Sequence, residues 1–116
     1  MRDQKVLLED ILESIKVIED SVKGASLRDL RENVTLQDSV IRRFSIIGEA
    51  AKHLSSESKS RHKRVDWKNI ERMRDFLVHE YFGIDLGIVW KAIKSDLPDL
   101  KKEIVEMIKE VGNAVR

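Results

Sequence analysis

The sequence predicts an all-α fold, an antiparallel bundle of four or five helices that forms a single domain over residues 1–116. Glycine and proline are scarce, with five glycines and one proline in 116 residues. Sandwiches and barrels need many such residues for their tight turns. Charged residues reach 37% and hydrophobic residues 41%, a balance typical of amphipathic helices. Apolar residues also recur at helical spacing along the chain, as expected of successive amphipathic helices.

The first half of the chain predicts two long helices. The first spans about residues 3–22, where apolar residues form one stripe: Leu7, Ile11, Ile15, Ile18 and Val22. Gly24 is well placed to end it, and residues 26–32 read as a short helical turn or a loop. Thr35 is expected to cap the second long helix, whose stripe is Leu36, Val40, Phe44, Ile47, Ala51 and Leu54. Gly48 makes part of this helix thin and so permits close packing.

The second half predicts a linker followed by three helices. Residues 55–64 (SSESKSRHKR) contain no aliphatic side chain and are expected to form the linker. Asp66 caps a third helix over residues 67–81, with Ile70, Met73 and Leu77 in its core stripe. Asp85 caps a fourth helix, and Pro98 marks a fresh start for the last helix.

Several classes of site and location are excluded or disfavoured. The chain has no cysteine, which excludes disulfides, thiol nucleophiles and thiolate zinc sites. Its three histidines do not pair at a metal-binding helical spacing, and no glycine-rich phosphate loop occurs. We therefore expect neither a metal nor a cofactor. No apolar run approaches the ~20 residues of a membrane span, and the N-terminus lacks the features of a signal peptide, so we expect a cytoplasmic protein.

The end of the third helix carries an unusual group of polar residues. At ~100° per residue, Asp75 and His79 lie about 40° apart, and Arg74 and Tyr81 about 20° apart. Arg74 and His79 diverge by about 140°. They could share a substrate if the helix end distorts, if the arginine reaches round, or if two copies of the chain face each other. An ordinary alternative is that these side chains complement the helix dipole and supply a buried hydroxyl.

A basic segment leads into the same helix. The net charge of the chain is only +1, but residues 55–74 hold seven basic and three acidic side chains. Lys63, Arg64 and Lys68 are candidate contacts for RNA phosphates, with Arg42 on the second helix as a further candidate. The alternative is a solvated, flexible loop without a partner.

The segment Arg74-Asp-Phe-Leu-Val-His79, with its extension to Tyr81, resembles the motif of the HEPN superfamily and, within it, of the HepT-like toxins. The resemblance continues through residues 37–55, 65–90 and 96–104. It therefore covers most of the chain in the expected order.

This resemblance implies an all-α domain that dimerises with its motifs at a shared cleft, and a metal-independent endoribonuclease that acts as a toxin. His79 would be the general base, Arg74 would hold the phosphate, and Asp75, which stands where asparagine is common, would orient or polarise His79. The implied partner is a minimal nucleotidyltransferase antitoxin that silences the toxin by adding AMP to Tyr81. A second hypothesis is a non-catalytic helical module that binds such a nucleotidyltransferase.

Overall fold

A computed structural model of the protein describes residues 3–79 and 83–114, and this part of the chain contains helices but no strands. The helices are α1 (Gln4–Val22), α2 (Leu27–Glu32), α3 (Val34–Lys52), α4 (Ser56–Arg61), α5 (Trp67–His79), α6 (Leu86–Lys91) and α7 (Leu97–Ala114). The predicted all-α fold is confirmed. The predicted end of the third helix at Tyr81 lies outside the described residues.

The core lies where α1 packs on α3 and α7, and where α3 packs on α5. The predicted apolar stripes of the two long helices are buried in it, except for Leu36, which is partly buried. Their burial favours folding because each large aliphatic side chain removed from water contributes about 1.5–3 kcal/mol. Gln4 at the start of α1 donates to the carbonyl of His53 and accepts from the N–H of Ser55. These contacts show that α1 and α3 run antiparallel. None of the described helices is long and apolar enough to cross a bilayer.

Side-chain caps decide where the helices begin. Asp66 and Asp85 cap the helices that follow them, as predicted. The expected cap at Thr35 is wrong, because the Asn33 side chain accepts from the N–H of Leu36 at 3.0 Å and starts α3 earlier. Ser26 and Asp29 cap α2 reciprocally, and the N–H of Ser26, followed by its hydroxyl, lowers the pKa of Asp29.

Two connections differ from the prediction. Residues 55–64 are not a simple linker, because Ser55 accepts from the N–H of Ser58 and caps the short helix α4. Helix α7 begins at Leu97, beside Pro98 as predicted, but no break in the helical backbone precedes it. A π-helical turn, Ala92–Asp96, joins α6 to α7, and the N–H of Leu97 donates to the carbonyl of Ala92. The wider turn lets the chain stay helical up to a proline that cannot donate.

His62 fastens the end of α4 to α7. Its side chain is buried, with Nδ1 at 3.4 Å from Glu103 Oε1 and Nε2 at 3.0 Å from Glu110 Oε1. The carbonyl of His62 accepts from the indole N–H of Trp67, the first residue of α5. The connection from α4 to α5 is thus fixed to α7 by the side chain of His62 and to α5 by its carbonyl.

We predict that His62→Ala lowers the free energy of unfolding by about 1–3 kcal/mol, because two carboxylates and a packed site lose their partner. Arg61→Ala is the matched control. Arg61 also faces Glu110, at 3.9 Å, but its side chain is half exposed, so its loss should change stability by about 1 kcal/mol or less. Urea denaturation of both variants checks this, and equal midpoints for the two would contradict it.

Candidate functional site

Arg74 lies on α5, directly over Gly48 of α3. A Cβ atom at Gly48 would overlap Arg74 Cβ, and it would lie 3.0 Å from Arg74 Cγ and 3.2 Å from the carbonyl oxygen of Ile70. Two helices can approach this closely only where one of them has no side chain. The predicted close packing at Gly48 is confirmed, and the stem of Arg74 fills the space that it creates.

Two carboxylates hold the guanidinium of Arg74. Nη1 donates to Asp75 Oδ1 at 3.0 Å, and Nη2 lies 3.4 Å from Glu49 Oε2. About a third of the Arg74 side chain stays exposed. A guanidinium has five N–H donors, and three of them lie outside these two contacts with described residues.

The arginine borders an open groove of about 710 Å³ between α1, α3 and α5. Glu49 and His53 also line this groove, and His53 Nε2 lies 3.2 Å from Glu49 Oε1. Glu49 therefore links an imidazole and a guanidinium through its two oxygens. Arg42, predicted to contact RNA, lies in the same groove. The lining of this groove thus holds two guanidinium groups and three carboxylates, since Asp10 and Asp38 also line it.

The remaining motif residues are only partly described. The described hydrogen bond of Asp75 is to Arg74, so a pairing of Asp75 with His79 stays a prediction. The backbone of α5 is helical through His79, which keeps positions 74 and 79 about 140° apart. The side chain of His79 and the whole of Tyr81 lie outside the described part of the structure.

The other predicted RNA contacts share a second groove. Lys63, Arg64 and Lys68 line about 650 Å³ of open space where α4 leads into α5. Lys59 extends this basic side, and its ammonium donates to the carbonyl of Ala51 at 3.2 Å. The predicted candidates thus divide between two surfaces, with Arg42 beside Arg74 and the other three at the second groove.

Glu49 and His53 were not among the site residues predicted from the sequence. Both lie on α3 one turn apart, a spacing at which side chains meet, and this was the only signal available. Their relation to Arg74 depends on how α3 packs against α5. In the described residues, no cluster of three or more histidine, aspartate or glutamate side chains could hold a metal ion.

Comparison with known proteins relates the chain to a family. The family model described as "Ribonuclease HepT-like" matches residues 11–107. A Methanocaldococcus jannaschii protein, named as a γ-glutamylcyclotransferase and candidate RNase, is 44% identical over 110 residues, which are 95% of this chain. The chain spans only 50% of that relative.

Other relatives match along nearly their whole length. A Thermococcus cleftensis protein named as a probable ribonuclease HepT is 39% identical over 93% of this chain and 98% of its own. A candidate RNase of Caldanaerobacter subterraneus subsp. tengcongensis is 37% identical over 95% of this chain and 98% of its own. No solved structure matches the chain significantly.

The contact below Arg74 leads to a stability prediction. Gly48→Ala should lower the free energy of unfolding by about 1–3 kcal/mol, since the added methyl group forces α3 and α5 apart. Gly112→Ala on α7 is the matched control, because nothing lies within 4 Å of its added Cβ. We expect it to raise stability by at most about 1 kcal/mol through helix propensity. Thermal unfolding of both variants checks this, and a stabilised Gly48→Ala protein would contradict it.

Proposed function

The chain belongs to the HepT-like ribonuclease family, and we propose that it is an endoribonuclease toxin that cleaves RNA without a metal ion. The observation that supports this most directly is the guanidinium of Arg74, held by two carboxylates at the edge of an open groove. A guanidinium presented in this way matches the geometry of a phosphate group.

In the proposed reaction RNA supplies its own nucleophile. His79 takes the proton from a 2′-hydroxyl, and the 2′-oxygen attacks the adjacent phosphorus. Arg74 stabilises the charge that develops on the phosphoryl oxygens. The bond from phosphorus to the 5′-oxygen breaks, the leaving oxygen takes up a proton, and a 2′,3′-cyclic phosphate remains. Asp75, which touches Arg74, would orient the catalytic groups.

We propose further that the site forms between two copies of the chain. Positions 74 and 79 lie on different faces of one straight helix, so one copy is poorly arranged to present both groups to one phosphate. In a two-fold dimer, Arg74 of one copy meets His79 of its partner, and the same pairing occurs twice.

The second groove, called the basic groove from here on, supports an RNA substrate. Lys63, Arg64 and Lys68 line it together, and phosphate contacts there would draw RNA toward α5 without reading its sequence. Arg42 would contact RNA beside Arg74. Because the proposed substrate is cellular RNA, we place the activity in the cytoplasm.

Control of the toxin is also part of the proposal. The family resemblance implies a cognate nucleotidyltransferase antitoxin that transfers AMP to Tyr81. Position 81 lies two helical turns beyond Arg74 if α5 continues. An added phosphate there would bring negative charge and bulk toward the arginine and would repel RNA.

We expect the purified protein to cut RNA in the presence of a chelator, and His79→Ala and Arg74→Ala each to abolish cleavage with helix content retained. An equal mixture of the two inactive variants, after subunit exchange, should recover about a quarter of the activity, since mixed dimers keep one complete site of two. Product length and end groups on labelled RNA provide the measurement.

These outcomes also separate the alternatives. A mixture that stays inactive while mixed dimers form would overturn the shared site. If the unmodified wild type leaves diverse RNAs intact, the protein is better described as a non-catalytic module that binds a nucleotidyltransferase.

Intact mass tests the regulation. Coexpression with the active nucleotidyltransferase should add one or more AMP units to the wild type and stop RNA cleavage, because the added phosphates oppose the substrate charge. Tyr81→Phe should receive none. The same AMP content in Tyr81→Phe and wild type would move the acceptor to another residue.

A further inference from the structure

We propose that Glu49 is a positioning residue, which fixes the guanidinium of Arg74 where it can stabilise the charge on the reacting phosphate. This inference rests on the proposed RNA cleavage, and it assigns a role to a residue outside the Arg-His motif. Glu49 lies on α3, whereas Arg74 lies on α5. Their ion pair therefore joins the two helices that form this side of the groove.

The two carboxylates at Arg74 differ in the part of the structure to which they fix its guanidinium. Asp75 is the next residue along α5 and moves with Arg74, so its 3.0 Å hydrogen bond restrains the side chain only relative to its own helix. Glu49 approaches from α3 and meets the other terminal nitrogen at 3.4 Å. Only a contact of this second kind orients the guanidinium relative to the rest of the groove.

Two consecutive residues of α3, Gly48 and Glu49, lie against opposite ends of the Arg74 side chain. Gly48 leaves the space that the Cβ and Cγ atoms of Arg74 occupy, and Glu49 meets the charged head. A free arginine side chain has considerable rotamer entropy to lose when it is ordered. A side chain held at both ends has lost part of it before RNA arrives, which is how an enzyme prepares a catalytic group.

Glu49 is itself held in place. Its second oxygen lies 3.2 Å from Nε2 of His53, one turn further along α3. With one oxygen at each partner, rotation of the carboxylate away from Arg74 would break both contacts. The arginine still keeps three N–H donors outside these ion pairs, so a phosphate can bind without displacing Glu49.

The charge of Glu49 provides a distinctive test. A carboxylate beside a phosphate site repels RNA, so a residue kept only for binding would not be acidic. Glu49→Gln removes this repulsion and loosens the arginine at the same time. We therefore expect kcat to fall by between about tenfold and a hundredfold, the cost of misplacing a catalytic group, while KM stays the same or falls.

Glu106→Gln is the matched control. It removes one negative charge and one surface ion pair, with Lys109 on α7, and should leave kcat and KM at wild-type values. A wild-type kcat in Glu49→Gln would overturn the proposal. So would a raised KM with unchanged kcat, which would make Glu49 an RNA-binding residue instead.

A second measurement does not depend on cleavage. Side-chain ¹⁵N spectra of the wild type should show separate, slowly exchanging Nη signals for Arg74, assigned by their loss in Arg74→Lys. These signals should merge in Glu49→Gln and persist in Glu106→Gln. If the wild type cuts no RNA, the proposed function fails, yet merged signals would still support the positioning of Arg74 by Glu49. Unchanged signals in Glu49→Gln would overturn it whatever the activity.

Discussion

The close approach of α3 and α5 at Gly48 is the constraint on which this site depends. With no side chain at Gly48, the stem of Arg74 and the backbone at Ile70 come within contact distance of α3. Packed interiors do not absorb an extra methyl group without moving. The position of α5, and with it the groove between α1, α3 and α5, is therefore set by the absence of one carbon atom.

Long apolar stripes made most of the fold predictable, whereas helix boundaries depended on local geometry. A stripe fixes which face of α1 or α3 is buried, because burial is the dominant favourable term in folding. Asn33 and Thr35 are both good caps by residue type, and only the reach of the Asn33 side chain to the N–H of Leu36 decides between them. Likewise, Pro98 predicts a helix start but does not exclude a π-helical turn before it.

The relative positions of the site residues were predictable only where those residues share one helix. Spacing along α5 related Arg74 to Asp75 and His79, because helical geometry fixes their relative angles. Glu49 belongs to another helix, and no periodicity connects it to Arg74. A sequence motif can thus identify the groups expected to react with RNA, but residues that hold them from a neighbouring helix emerge only from the packing.

The charges around Arg74 bear on how RNA could reach it. The guanidinium of Arg74 and the carboxylates of Glu49 and Asp75 together carry a formal charge of −1, so this cluster alone does not attract a polyanion. Half-exposed ion pairs also add little stability, which leaves orientation as their main physical effect. Under the proposed function, attraction then falls to the basic groove around Lys63, because Asp10 and Asp38 line the other groove beside Arg42. A chain with almost no net charge can in this way gather RNA at one surface and act on it at another.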